Sequence, residues 1–98
     1  MYFVVYAIDR PGAAAIRAQH RPAHRDRLRR HEHPVAVRIG GPLLDEGGAM
    51  IGSMLVIEAE NAAAVETYLA GDPYVENGLY ARVEVRPFAW GLGAPDAR

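Results

Sequence analysis

The chain contains no cysteine among its 98 residues. That excludes a disulfide scaffold, a thiol nucleophile and any cysteine-based zinc site. It contains no lysine either; all eleven basic residues are arginine. With its many alanines and glycines, this points to a GC-rich genome rather than to a chemistry. No strong charge of either sign is present, and the net charge of -1 gives no electrostatic reason to expect nucleic acid or an anionic membrane. No hydrophobic run is long enough to cross a bilayer. The amino-terminal stretch Met1 to Ile8 is apolar, but Asp9 ends it, and it lacks a basic leader and a cleavage pattern. The cytoplasm is the expected location. There is no G-x-G-x-x-G loop for a dinucleotide and no G-x-S-x-G nucleophile elbow. No cofactor and no metal are expected.

What is present fits one domain with one modest core. Residues 2–8 are β-branched and aromatic and predict a first strand. Asp9-Arg10-Pro11-Gly12 reads as a turn. Residues 13–19 predict a short helical piece. Arg21 precedes a proline and is biased toward extended backbone, so Pro22 is expected to open a separate helix running to about His31. Val35 to Leu43 alternates as a second strand, Asp45-Glu46-Gly47-Gly48 is a hairpin turn, and Met50 to Ile57 is a third strand. Asn61 suits an N-cap. Ala62, Val65, Tyr68 and Leu69 then form the buried face of a second long helix, with Gly71 just past its end. Tyr80 to Trp90 alternates strongly as a strand with one wet face. Residues 1–90 are therefore expected as the domain and 91–98 as a loose tail.

Strand, helix, strand, strand, helix, strand is the ferredoxin-like βαββαβ order, an α+β fold with a four-stranded antiparallel sheet. The charges agree with it. The first and third strands are apolar on both faces and suit the sheet centre, whereas Arg38, Arg82, Glu84 and Arg86 mark the second and fourth as edges. Two helices cover only one face of such a sheet. A second copy is the simplest cover for the other, so a homodimer through the open face is expected. RNA-recognition domains share this topology but stack bases on aromatics of the third strand. Met50-Ile51-Gly52-Ser53-Met54-Leu55-Val56-Ile57 has none, which argues against RNA.

The residues that carry chemistry are few. His24 falls beside Leu28 on one helix face, with His31 a turn further on. An imidazole oriented by a carboxylate is a general acid/base that works near neutral pH. Asp72, in Gly71-Asp72-Pro73-Tyr74, could supply that carboxylate. Aspartate before proline is also a good N-cap, and the two roles can coexist on its two oxygens. Ser53 is the one polar residue within an apolar strand; it could bind substrate or satisfy a cross-strand contact. With Tyr74 and Arg21 it makes up the candidate substrate-binding set. Tyr2, Tyr6, Tyr80 and Trp90 could add aromatic walls, and Arg38, Arg82 and Arg86 could receive an anion. His20 and His24, with His31 and His33, hint at a metal, but Pro22 interrupts the first pair and no acidic ligand follows at a telling distance.

Taken in order, Tyr2 to Ala7, Arg21-Pro22-Ala23-His24 with Leu28, Gly41-Pro42, Gly52-Ser53, Asp72-Pro73-Tyr74 and Arg86-Pro87-Phe88 resemble the YCII family over nearly the whole chain. The hairpin at residues 45–48 looks shorter than in many relatives. The resemblance implies a dimeric α/β barrel of ferredoxin-like subunits and a His–Asp active site, here His24 and Asp72. It also implies chemistries such as lyase-type dehydrochlorination of chlorinated hydroxyaromatics. The expected function is thus a small cofactor-independent enzyme, a lyase or isomerase, in which His24 moves a proton on a small cyclic or hydroxyaromatic substrate. The alternative is a non-catalytic dimeric module that binds a small molecule or serves as an accessory to other enzymes.

Overall fold

A computed structural model of the chain describes residues 1–30 and 34–94. The elements are β1 (Tyr2–Asp9), α1 (Ala14–Arg29), β2 (Ala36–Leu44), β3 (Met50–Glu58), α2 (Ala62–Ala70), α3 (Pro73–Glu76) and β4 (Tyr80–Phe88). The strands pair antiparallel in the order β2-β3-β1-β4. This is the ferredoxin-like topology, with β1 and β3 central as their two apolar faces require. Its Cα radius of gyration is 13.4 Å.

Period-two alternation decides what each face carries. Phe3, Val5 and Ala7 of β1 pair with Ile57, Leu55 and Ser53 of β3, and all six are buried toward the helices. Val35, Ala59, Val65, Tyr68 and Leu69 complete that core, with Leu28 and Val37 packed against it. A smaller cluster of Ala13, Tyr74 and Leu79 lies beside it. By the same alternation Tyr2, Val4 and Tyr6 share the opposite face with Met54 and Val56. No described helix covers that face, and Tyr6 is 40% and Ile39 45% exposed there.

Several local expectations resolve in instructive ways. Asn61 caps α2 by accepting from the Ala64 N–H at 2.9 Å. The hairpin turn closes on Asp45, whose Oδ1 accepts from the N–H groups of Gly47 and Ala49 at 2.9 and 3.0 Å. Gly71 does follow α2, but at φ -94, so left-handed backbone is not the reason for glycine. A Cβ there would meet Arg27 Nη2 at 2.8 Å.

The expected break at Pro22 is absent: α1 is one continuous helix from Ala14 to Arg29. Proline removes one N–H from the helix ladder and crowds the preceding turn. Here Pro22 and Ala18 both lie on the exposed side, where water can serve the freed carbonyl. Arg17 before the proline and His24 after it are both anchored below, which holds the two halves on one axis. The expected helix end at His31 and the tail residues 95–98 lie outside the described residues.

Gly52 is the glycine on which the sheet centre depends. A Cβ at that position would run into the backbone carbonyl of Ala7 on the neighbouring central strand. Backbone in mid-sheet has nowhere to move. Gly52→Ala is therefore expected to lower stability by about 1–3 kcal/mol, measured by urea denaturation; an unchanged midpoint would contradict the tight approach.

Candidate active site

The site is built on the inward face of α1, the start of α3 and the middle of β3. Arg17 and His24 are seven residues apart, two helical turns, and so share one face. They are the buried residues of α1. A helix normally presents leucine or valine at such positions.

His24 is 6% exposed and Asp72 2% exposed. His24 Nδ1 lies 2.9 Å from Asp72 Oδ1 and 3.0 Å from Oδ2. The acceptor is a carboxylate, so Nδ1 carries the proton and donates it, leaving Nε2 as the basic nitrogen. Asp72 also caps α3: its Oδ1 accepts from the Tyr74 N–H at 2.8 Å, with Pro73 opening the helix. Capping and imidazole binding do coexist on one carboxylate. The His24 ring is further fixed by stacking on Tyr74, with centroids 3.9 Å apart and planes at 21°.

A second network, built on Arg17, lies alongside. Its Nε and Nη2 make a bidentate pair with Asp9 at 2.7 and 2.8 Å. Nη2 also donates to Ser53 Oγ at 3.0 Å, and Nη1 reaches the Tyr74 hydroxyl at 3.5 Å. Burial alone would weaken this cation, but the Asp9 hydrogen bonds and charge outweigh it and push its pKa above the ordinary value. The Tyr80 hydroxyl donates to Ser53 Oγ at 2.8 Å. Ser53 therefore accepts two hydrogen bonds, and its own O–H is left to donate.

Between α1 and the β2–β3 half of the sheet opens a cleft of about 340 Å³, bordered by His24, Arg17, Arg21, Ser53, Tyr74 and the Gly40–Pro42 stretch of β2. That volume suits one substituted ring and is too small for a dinucleotide. Of the candidate residues, His24, Ser53, Tyr74 and Arg21 border the cleft, while Asp72 sits behind His24. Arg38 also reaches the rim and pairs with Glu58.

Other expectations are corrected. Tyr2 and Trp90 pack edge-to-face with each other on the far side of the sheet, and Tyr6 lies on that same open face. Strand alternation points Tyr2 and Tyr6 away from Phe3 and Val5, hence away from the cleft. Arg82 and Arg86 pair with Ile8 and Val4 and share their open face. Tyr80 does not line the cleft but stands behind it, donating to Ser53 and packing edge-to-face on Tyr74. His20 lies one turn before His24 on the same helix and against Asn77. Among the described residues no three His, Asp or Glu side chains converge as metal ligands; His31 and His33 lie outside them. Asp9 and Arg17 are functional candidates that the sequence reading passed over. The readable signal was the seven-residue spacing of Arg17 and His24, which reading Pro22 as a break concealed.

A ferredoxin-like domain with an oriented imidazole at the edge of a one-ring cleft defines the class. The family model of the YCII-related domain matches residues 1–89, and the chain belongs to that family. It is 34% identical over 94 residues to protein YciI of Escherichia coli, covering 90% of this chain and 96% of that protein. Among solved structures it is similar to 5-chloro-2-hydroxyhydroquinone dehydrochlorinase (TftG) from Burkholderia phenoliruptrix, in complex with 2,5-dihydroxybenzoquinone. There the TM-score is 0.83 at 32% identity, covering 93% of this chain and 96% of that one. Rv0793 from Mycobacterium tuberculosis, at a TM-score of 0.52 and 16% identity over 94% and 97% of the two chains, shares the fold alone. No described helix is long and apolar enough to cross a membrane.

Burial pushes the Tyr80 phenol up from its ordinary value of 10.0, more than its Ser53 hydrogen bond and the nearby Arg17 lower it. The folded chain therefore holds this proton where the unfolded chain releases it. The stabilisation is full below about pH 10 and drains away as pH rises above that. Tyr74 and Tyr68 shift the same way through burial, so the slope is shared. Urea unfolding at about pH 9 and about pH 11 should show a smaller alkaline loss of stability for Tyr80→Phe than for the wild type; equal losses would refute the assignment.

Proposed function

We propose that this protein is a small enzyme in which His24 is the general acid/base for proton transfer, with elimination or isomerisation, on a hydroxylated ring. The observation that carries the reading is the His24 ring itself. Nδ1 is tied to a buried carboxylate, and the ring borders a cleft sized for one ring. Asp72 holds the tautomer that leaves Nε2 basic and stabilises the imidazolium that forms. The similarity to a dehydrochlorinase supports elimination of HCl as the reaction to test first. In that reaction one hydroxyl proton moves to the carbon that bears chlorine, giving the keto tautomer; Nε2 then takes the proton of a second ring hydroxyl, the released electron pair forms a ring carbonyl, and chloride leaves with the electrons of the C–Cl bond. The net loss is HCl, and no external oxidant or reductant is needed. The Ser53 O–H and the Arg17 network would stabilise negative charge on ring oxygens.

Chloride release from 5-chloro-2-hydroxyhydroquinone, the compound named for the related enzyme, is the direct assay. His24→Asn should lower kcat by roughly 10²–10⁴-fold. Asp72→Asn keeps a good capping residue while removing the charge, so it should lower kcat with little loss of stability. Unchanged release in His24→Asn would remove that residue from the mechanism. A ligand that binds with no turnover would favour the non-catalytic module.

We infer also that two copies associate through the open sheet face. Tyr6 and Ile39 are exposed there, Val4 and Met54 are half-buried beside them, and no described helix covers them. Such surface favours association. Light scattering should report twice the chain mass. Tyr6→Lys, opposite Glu84 on β4 and so tolerated by a single chain, should give a monomer; a dimer that persists would place the interface elsewhere.

A further inference from the structure

The cleft has a sign. Its floor is His24, Ser53 and Tyr74, all buried, and its rim on the α1 side is Arg21, Arg25 and Arg29. These three continue the four-residue spacing that begins at Arg17, so one helical ridge carries four cations in register. Like charges at that spacing repel and weaken a helix. The neighbouring pair on α1 shows the ordinary alternative: Arg30 meets Asp26 at 2.6 Å in an exposed ion pair. Arg21, Arg25 and Arg29 have no carboxylate partner among the described residues. Within the cleft, Arg17 is matched by Asp9 and Arg38 by Glu58.

The ridge also borders a larger, more open groove of about 760 Å³ on its other side, and the two sides differ. The groove includes the carboxylate of Asp26. Among the described residues no aspartate or glutamate borders the cleft. A low-dielectric wall lined by one sign of charge concentrates counter-ions. Here the counter-ion would meet hydrogen-bond donors from Arg17 and Ser53 and one base, His24.

We propose that the cleft selects anionic rings: a hydroxylated ring that also carries a negatively charged oxygen, received at the mouth by Arg25 and Arg29 while the reacting end lies against His24. This deepens the reading of the site given above and rests on the same cleft. Two sources share that chemistry, a ring carboxylate and an ionised ring hydroxyl. Arg25 and Arg29 are exposed specificity residues and do not touch the reacting atoms.

The test is binding, so it does not depend on turnover. Catechol, protocatechuate (the same ring with a carboxylate) and 2,5-dihydroxybenzoquinone (a ring with acidic enols) are titrated calorimetrically into the wild type, into His24→Asn and into the double variant Arg25→Gln/Arg29→Gln. Glutamine is a good helix former, so the fold should be kept. We expect an anionic ring to bind the wild type and His24→Asn at least about tenfold more tightly than catechol. In the double variant that preference should collapse while catechol binding stays the same, and added salt should erode it in the wild type. A preference confined to protocatechuate assigns the carboxylate; one confined to the quinone assigns the ionised hydroxyl. Equal affinity for charged and neutral rings, or a preference that survives the double substitution, overturns the proposal. If the preference holds but chloride release never appears, the acid/base reading fails and the anion site stands.

Discussion

A buried carboxylate, Asp72, is the joint on which the helical layer turns. Its backbone N–H donates to Leu69 at the end of α2, and its carbonyl accepts from Glu76 in α3. Its side chain accepts from the Tyr74 N–H and from His24 on α1. Four bonds thus hold one residue to three helices. Leaving such a group unpaired in the interior would be costly. The packing that satisfies Asp72 is the same packing that aims the imidazole, so site geometry and fold stability share a cause. Tyr74 extends the argument: its backbone is held by Asp72, and its ring supports His24 from one side.

The second constraint is that α1 spends its inward face on polar groups. Arg17 and His24 occupy positions where helices usually bury leucine. The apolar packing of the helical layer therefore falls mainly to α2, with Val65, Tyr68 and Leu69 against the sheet. Only Leu28 near the end of α1 joins that core directly. The cleft exists because α1 stands off the β2–β3 half of the sheet at this level, where Gly40, Gly41 and Pro42 offer little side-chain bulk.

Much of this was legible in the amino-acid order. Apolar residues on both faces of β1 and β3 placed them at the sheet centre, and charge on β2 and β4 placed those at the edges. Asn61 and Asp72 declared themselves as caps through local chemistry, because an Asx side chain before a helix has one good use for its oxygen. The His24–Asp72 meeting was legible only with the help of the family resemblance; nothing local joins residues 48 apart in the chain. What failed to show has a common origin in tertiary contact. Pro22 breaks helices in isolation, yet here it faces water while the turns on either side are pinned below. Arg17 reads as one more surface arginine until β1 supplies Asp9 and β3 supplies Ser53. The cleft holds fewer aromatics than the sequence suggests, because strand parity sends Tyr2 and Tyr6 to the other face.

The donors and acceptors of the cleft are unevenly divided, and that division gives the site a direction. Ser53 receives hydrogen bonds from Arg17 and Tyr80, so its remaining hydrogen is free to be given. Arg17 is held cationic by Asp9, and burial keeps Tyr80 neutral. The side chains around the floor can therefore donate to an oxygen but, His24 apart, offer little to accept a proton. In a proton transfer, negative charge that develops on a ring oxygen would meet preorganised donors, and the proton would have one basic side chain to go to. Such an arrangement stabilises charge where it forms without reorganising solvent. It also explains why both acidic residues nearest the floor are spoken for. A free carboxylate from Asp9 or Asp72 would compete with the substrate for the same donors and cancel the polarity of the site.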